Sequence, residues 1–202
     1  GNFRQEKIKS VVMTGTSVVG ARGHYQQSIA VNDWVNAIRN VGDILRDADV
    51  AHISNEASFV PDCVQNNWTM VFCEPPESFE LLTWAGIDVV GLTGNHILDF
   101  GNQHFLDTLA RYEEAGISYF GGGRDYADAH TAAVKDLGSV KVAFLGYNMI
   151  PPVSSFAGDD SPGSAELQIS AIQEDIAAVR EEVDYIFVDM QWGNEYEHEP
   201  NS

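Results

Sequence analysis

Ile87-Asp88-Val89-Val90-Gly91-Leu92-Thr93-Gly94-Asn95-His96-Ile97-Leu98-Asp99-Phe100-Gly101 is the stretch on which the reading turns. Residues 87–92 are almost continuously apolar, the mark of a strand covered on both faces. The run then ends in an amide, an imidazole and, shortly after, a carboxylate. In open α/β sheets, ligands sit in the crevice beyond the carboxyl ends of the strands, so polar side chains placed there are the first candidates for a site.

Working outward from this strand, the pattern recurs. An apolar, β-branched run over 8–13 predicts a first strand that breaks at Thr14-Gly15-Thr16, and 49–53 predicts a second that ends in Ser54-Asn55-Glu56. Between them, Trp34, Ile38, Val41 and Leu45 fall on one face of a helix over 33–45. Helices over 77–85 and 102–115 are stopped by Gly86 and Gly116, the latter with Phe105, Leu109 and Tyr112 on one side. Residues 117–120 are extended and meet Gly121-Gly122-Gly123, which suits a tight turn better than a phosphate cradle because the Gly-x-Gly-x-x-Gly spacing is missing. Residues 131–136 and 140–146 flank Leu137-Gly138-Ser139 as a hairpin, so the sheet is mixed. Ser170 with Gln173 opens a helix striped by Ile172, Ile176, Val179 and Val183, and 184–190 is the last strand, feeding Gln191-Trp192-Gly193-Asn194-Glu195-Tyr196.

Alternating strands and helices without repeat, low-complexity tract or linker predict one α/β domain over 1–202. Residues 191–202 are polar and follow a core strand with no closing element, which implies a continuation past Ser202. A chain of 202 residues buries about 70% of its unfolded surface, enough to fold without staples. No apolar run approaches the roughly 18 residues that a bilayer span requires.

Thirty acids against 11 bases give a formal charge of −19, which repels phosphate backbones and argues against a nucleic-acid partner. An anionic ligand would need a cation or one of the few basic groups at hand, Arg22, Arg111 or Arg124. Cys63 and Cys73 either stay as two thiols or close a short loop; a disulfide there would add about 3 kcal/mol and imply an oxidising, exported setting.

The strand ends present Thr16, Asn55 with Glu56, Asn95 with His96 and Asp99, Asn148, and Gln191 with Trp192 and Glu195. Together they predict one polar rim. Carboxylate, amide oxygen and imidazole suit either a hard or borderline divalent cation or an acid–base centre. His96 either caps the following turn or takes part in catalysis, and Asp99 either caps the helix near Asn102 or joins it. Glu56 has no helix to cap, so it reads as a ligand or hydrogen-bond acceptor. Thr16, Asn55, Gln191, Trp192 and Glu195 are candidate substrate contacts, with Gln191 and Trp192 offering a polar contact beside an aromatic platform, as a sugar or peptide would require. Serine or cysteine nucleophiles have no supporting motif.

Asn95-His96-x-x-Asp99-Phe100-Gly101, Ser54-Asn55-Glu56, Gly121-Gly122-Gly123, Val142-Ala143-Phe144-Leu145-Gly146-Tyr147 and Gln191-Trp192-Gly193-Asn194-Glu195-Tyr196 together resemble the CapA family of bacterial capsule and poly-γ-glutamate biosynthesis proteins. The resemblance implies a metallophosphatase-like fold, a layered α/β/β/α sandwich with mixed sheets that is incomplete at the C-terminus. It also implies an extracytoplasmic, cell-envelope setting, an anionic polymer (poly-γ-glutamate or capsular polysaccharide) or its synthase complex as partner, and membrane attachment only through a segment outside these residues. By the same resemblance Glu56 and Asn95 would hold one divalent metal ion of unassigned identity, and His96, with Asp99 beside it, would be catalytic.

Two departures bear on the chemistry. Gly15-Thr16 stands where many relatives have Gly-Asp, and Gln191-Trp192-Gly193 where they have His-Trp-Gly. Threonine cannot supply a bridging anionic oxygen, and a glutamine amide is a poorer transition-metal ligand than imidazole, so a two-metal centre is not expected. The first functional reading is therefore a non-hydrolytic surface protein that handles a growing polymer at the rim. The second is a metal-dependent phosphoesterase-like hydrolase with His96 as general acid, and the third is a scaffold within a synthase complex.

Overall fold

The computed structural model describes residues 8–17, 33–64, 70–150, 152–194 and 197. In chain order the elements are β1 (Val11–Ser17), α1 (Gly42–Arg46), β2 (Val50–Asn55), α2 (Glu80–Ala85), β3 (Val89–Gly91), α3 (Asn102–Glu114) and β4 (Ser118–Phe120), followed by β5 (Gly122–Gly123), α4 (Tyr126–Ala129), β6 (Ala133–Asp136), β7 (Lys141–Asn148), β8 (Gly163–Ser164), α5 (Ile169–Val179) and β9 (Tyr185–Gln191). Strands β1 to β4 form a parallel sheet in that order. A second sheet, β6-β7-β9, is mixed: the β6–β7 hairpin is antiparallel and β7–β9 parallel.

The period of two along each strand decides what each face touches. In β7, Val142 and Phe144 pack with Val50, Val89 and Phe120 of the first sheet, whereas Ala143, Leu145 and Tyr147 turn the other way onto Val179 and Val183 beside α5. In β2, Val50 faces the second sheet while Ala51 and Ile53 join Leu82, Phe105, Leu109 and Tyr112 of the helices. The layers thus run helix, sheet, sheet, helix, as the resemblance implied, and the mixed sheet is the one announced by the hairpin at 131–146.

Two local expectations fail for packing reasons. The break at Thr14-Gly15-Thr16 is absent: β1 continues to Ser17 and absorbs the irregularity as a register shift between Met13 and Thr16. The helix over 33–45 is divided into a 3-10 turn at Trp34–Ala37, capped by the Asp33 side chain, and α1. At the division, Gly42 lies against Trp84 so closely that a Cβ there would stand 2.1 Å from the indole ring, and Val41 is left exposed. The glycine triplet is also more than a turn, since Gly122 and Gly123 pair with Ser164 and Gly163.

Cys63 and Cys73 are joined in a disulfide. It closes the loop that leads from β2 toward α2, and both sulfur-bearing residues are buried with Val60.

Candidate functional site

Three strand ends meet on one side of the sandwich. Glu56 follows β2, Asn95 and His96 follow β3, and Gln191 is the last residue of β9. Their approach depends on Gly94: a Cβ at this position would lie 2.6 Å from Glu56 Cγ and 2.8 Å from its Cα, so only glycine lets the loop after β3 press against Glu56. β9 reaches the same place because its parallel register with β7 sets Gln191 opposite Asn148.

The Gln191 amide closes the group. Its Nε2 donates to Glu56 Oε1 at 3.0 Å and to Asn95 Oδ1 at 3.1 Å, linking all three strand ends through one nitrogen. Beside it, His96 Nδ1 is 2.7 Å from Asp99 Oδ2, and the Phe72 backbone N–H donates to the same oxygen, also at 2.7 Å. A carboxylate accepts, so the contact makes Nδ1 the donor nitrogen of the ring. The Phe72 ring meets the imidazole edge-on with centroids 4.4 Å apart, which fixes the ring from a second direction.

These groups line a cleft of about 290 Å3. Glu56, Asn95, His96, Gln191 and Trp192 form its polar and aromatic side, and Met70, Phe72 and Ile150 its apolar side. Trp192 is 48% exposed, so its ring is open to a ligand. Two larger hollows, of about 370 and 470 Å3, are less suited to chemistry. Glu113 and Asp128 in the first are neutralised by Arg124, and the second is an apolar groove beside Val11, Val142 and Phe187.

The other predicted residues divide. Asn55 does not face the cleft: it continues the outward series of Ala51 and Ile53, is 1% exposed, and donates through Nδ2 to Ala57 O and Tyr112 OH. Its proposed substrate contact is therefore withdrawn, because the period of the strand turns it toward the helices. Asn148 is likewise buried, bonded to Ser164 Oγ and Ile150 N. Asp99 is no helix cap, since the position before α3 is Gly101 and its carboxylate is spent on His96 and Phe72. Thr16 pairs with Ser54 at the end of β1 and is not among the described residues that line the cleft. Glu195 and Arg22 lie outside the described residues. Arg111 donates to Pro76 O over the Phe59 and Phe79 rings, and Arg124 pairs with Glu113 and Asp128, so neither supplies the cleft with positive charge.

Met70 and Phe72 were not foreseen. They sit in the stretch read only as irregular after β2, and their one signal in the sequence is the nearby cysteine pair. Behind the site, burial and then the Glu74 carboxylate push the Tyr112 phenol well above its ordinary range, so it stays a neutral partner for Asn55.

The sequence model of bacterial capsule synthesis protein PGA_cap matches residues 10–202. Among curated proteins, the chain is similar to a capsule biosynthesis protein CapA of Bacillus anthracis, with 26% identity over 62% of this chain and 31% of that protein. It is similar to a PGA biosynthesis protein CapA of Bacillus subtilis, with 22% identity over 89% of this chain and 48% of that one. A probable polyglutamine synthesis accessory protein of Mycobacterium tuberculosis matches at 31% identity over 60% of this chain and 35% of its own length. The chain thus spans less than half of each of these relatives.

Proposed function

Because the chain belongs to the bacterial capsule synthesis family PGA_cap, whose sequence model covers residues 10–202, we propose that it serves capsule or poly-γ-glutamate synthesis by handling the polymer in the strand-end cleft. The observation that carries this reading is the Gln191 amide bridging Glu56 and Asn95. It turns the meeting point of three strands into a preformed surface of amides, imidazole and indole, groups that bind a peptide-like or saccharide chain by hydrogen bonds and stacking. The disulfide supports an oxidising, envelope-side setting, and the similarity to biosynthesis and synthesis accessory proteins supports association with a polymer-synthesis system. No helix among the described residues is long and apolar enough to cross a membrane.

The divalent cation that the resemblance implies does not fit the residues as they stand. Glu56 and Asn95 offer one carboxylate and one amide oxygen, and the point between them is taken by Gln191 Nε2. No cluster of three or more His, Cys, Asp or Glu able to hold a metal occurs among the described residues.

Calorimetry with poly-γ-glutamate and with capsular saccharide, each with and without divalent cation, tests the proposal. Saturable binding that weakens on Trp192→Ala supports it, and no binding under any ionic condition removes it. One observation favours a second reading, a metal-dependent phosphoesterase-like hydrolase: the His96–Asp99 pair has the arrangement of a general acid held by a carboxylate. Elemental analysis together with turnover of a chromogenic phosphodiester decides this. Stoichiometric metal with activity lost in His96→Ala establishes the hydrolase, whereas metal-free protein whose background is unchanged by that substitution eliminates it.

A further inference from the structure

The cleft has an unexpected electrostatic character for a protein that handles an anionic polymer. Its described lining contains no lysine or arginine, and its carboxylate, Glu56, points with Asn95 Oδ1 at a single nitrogen. The whole chain carries −19. Such a field draws cations in and keeps the anionic body of a polymer at a distance.

Gln191 Nε2 indicates what the point accepts. It is an N–H donor held by two oxygens at 3.0 and 3.1 Å, a nitrogen-to-oxygen spacing; a magnesium or calcium ion would need its ligands at about 2.0–2.6 Å and more of them. Swinging the Gln191 side chain aside vacates the place that Nε2 holds, and two acceptor oxygens, Glu56 Oε1 and Asn95 Oδ1, then face it. A primary ammonium brings N–H donors for both oxygens and a positive charge opposite in sign to the Glu56 carboxylate. Trp192, exposed in the lining of the same cleft, offers a π face to the cation.

The geometry points to recognition of a primary ammonium group: the cleft binds the amino end of a glutamyl chain, not its carboxylate-bearing body. Gln191 Nε2 holds the ammonium position and gives way to the ligand on binding. This inference rests on the polymer-handling reading and names the part of the polymer that the site holds.

The test is calorimetry with a short γ-glutamyl oligomer carrying either a free or an acetylated amino terminus, in EDTA throughout, with free glutamate as a third ligand. The free oligomer is expected to bind and the acetylated one to bind at least about tenfold more weakly. Glu56→Gln is expected to reduce the free oligomer to the level of the acetylated one, with far-UV circular dichroism checking the fold. Glutamate competing as well as the oligomer would assign the site to a free amino acid, overturning recognition of a chain end. Equal binding of both oligomers overturns the inference and leaves the polymer-handling reading standing. Binding by neither overturns both, and binding that appears only when magnesium replaces EDTA overturns the ammonium assignment in favour of a cation bridge.

Discussion

Two of the three histidine–aspartate pairs among the described residues share their chemistry and differ in nearly everything else. His96 and Asp99 meet at 2.7 Å with side chains 14% and 18% exposed, along the N–H direction, and the carboxylate is anchored again by Phe72 N–H. His52 and Asp189 meet at 3.0 Å between the two sheets, yet the contact lies off the hydrogen-bonding direction, and His52 Nδ1 has no hydrogen-bond partner at 1% exposure. The His52 ring is instead stacked on Phe144 at 5.5–6.2 Å from its aromatic neighbours Phe120 and Phe144. The first pair is built from hydrogen bonds, whereas in the second the imidazole is held by packing in the seam between the sheets and only Asp189 reaches solvent. A dyad in a sequence or a distance list is therefore not yet a functional group; the direction of its bond and its access to a ligand decide.

Substitutions can break that contrast. The largest effect is expected at His52→Ala, which removes a stacked ring from between the sheets and should cost about 3 kcal/mol, or roughly 6–12 °C in thermal midpoint by calorimetry. A loss as large from His96→Ala would erase the distinction. Next, replacing both Cys63 and Cys73 by serine should cost up to about 3 kcal/mol in denaturant unfolding. It should also broaden or shift the His96 ring resonances, because Phe72, which holds Asp99, is adjacent to Cys73; His52 resonances should not move.

Tyr112→Phe sharpens the comparison from the helical side, removing the hydroxyl that accepts from Asn55 at a cost of about 1 kcal/mol. The same tyrosine, with Tyr147, sets an alkaline limit. Both phenols are raised above the ordinary value of 10.0, chiefly by burial, so the stability they confer is complete below pH 10 and is lost as pH rises beyond it. The onset of alkaline unfolding followed by circular dichroism should move to higher pH in Tyr112→Phe. The smallest stability effect, below about 0.5 kcal/mol, is expected at Trp192→Ala, whose ring is half exposed; ligand affinity should fall instead.

The sequence announced the layers because apolar periodicity is a local property: the buried run at 87–92 and the stripe Ile172, Ile176, Val179 and Val183 each need only their own neighbours to be legible. It also brought Glu56, Asn95, His96 and Gln191 to one rim, since strand ends follow from strands. What it could not provide was facing. Asn55 and Glu56 are adjacent, and a single step of strand period sends one to the core and the other to the cleft. Nor could it foresee Met70 and Phe72, which reach the cleft through a loop whose course is set by a covalent link and not by any periodic pattern.

That link has a practical corollary for anyone preparing the protein. Chain matured in a reducing cytosol would keep both sheets and their helices yet lack the tether that holds Phe72 against His96, giving well-folded material with a slack recognition wall. Competence for ligand would then be conferred by the compartment of maturation.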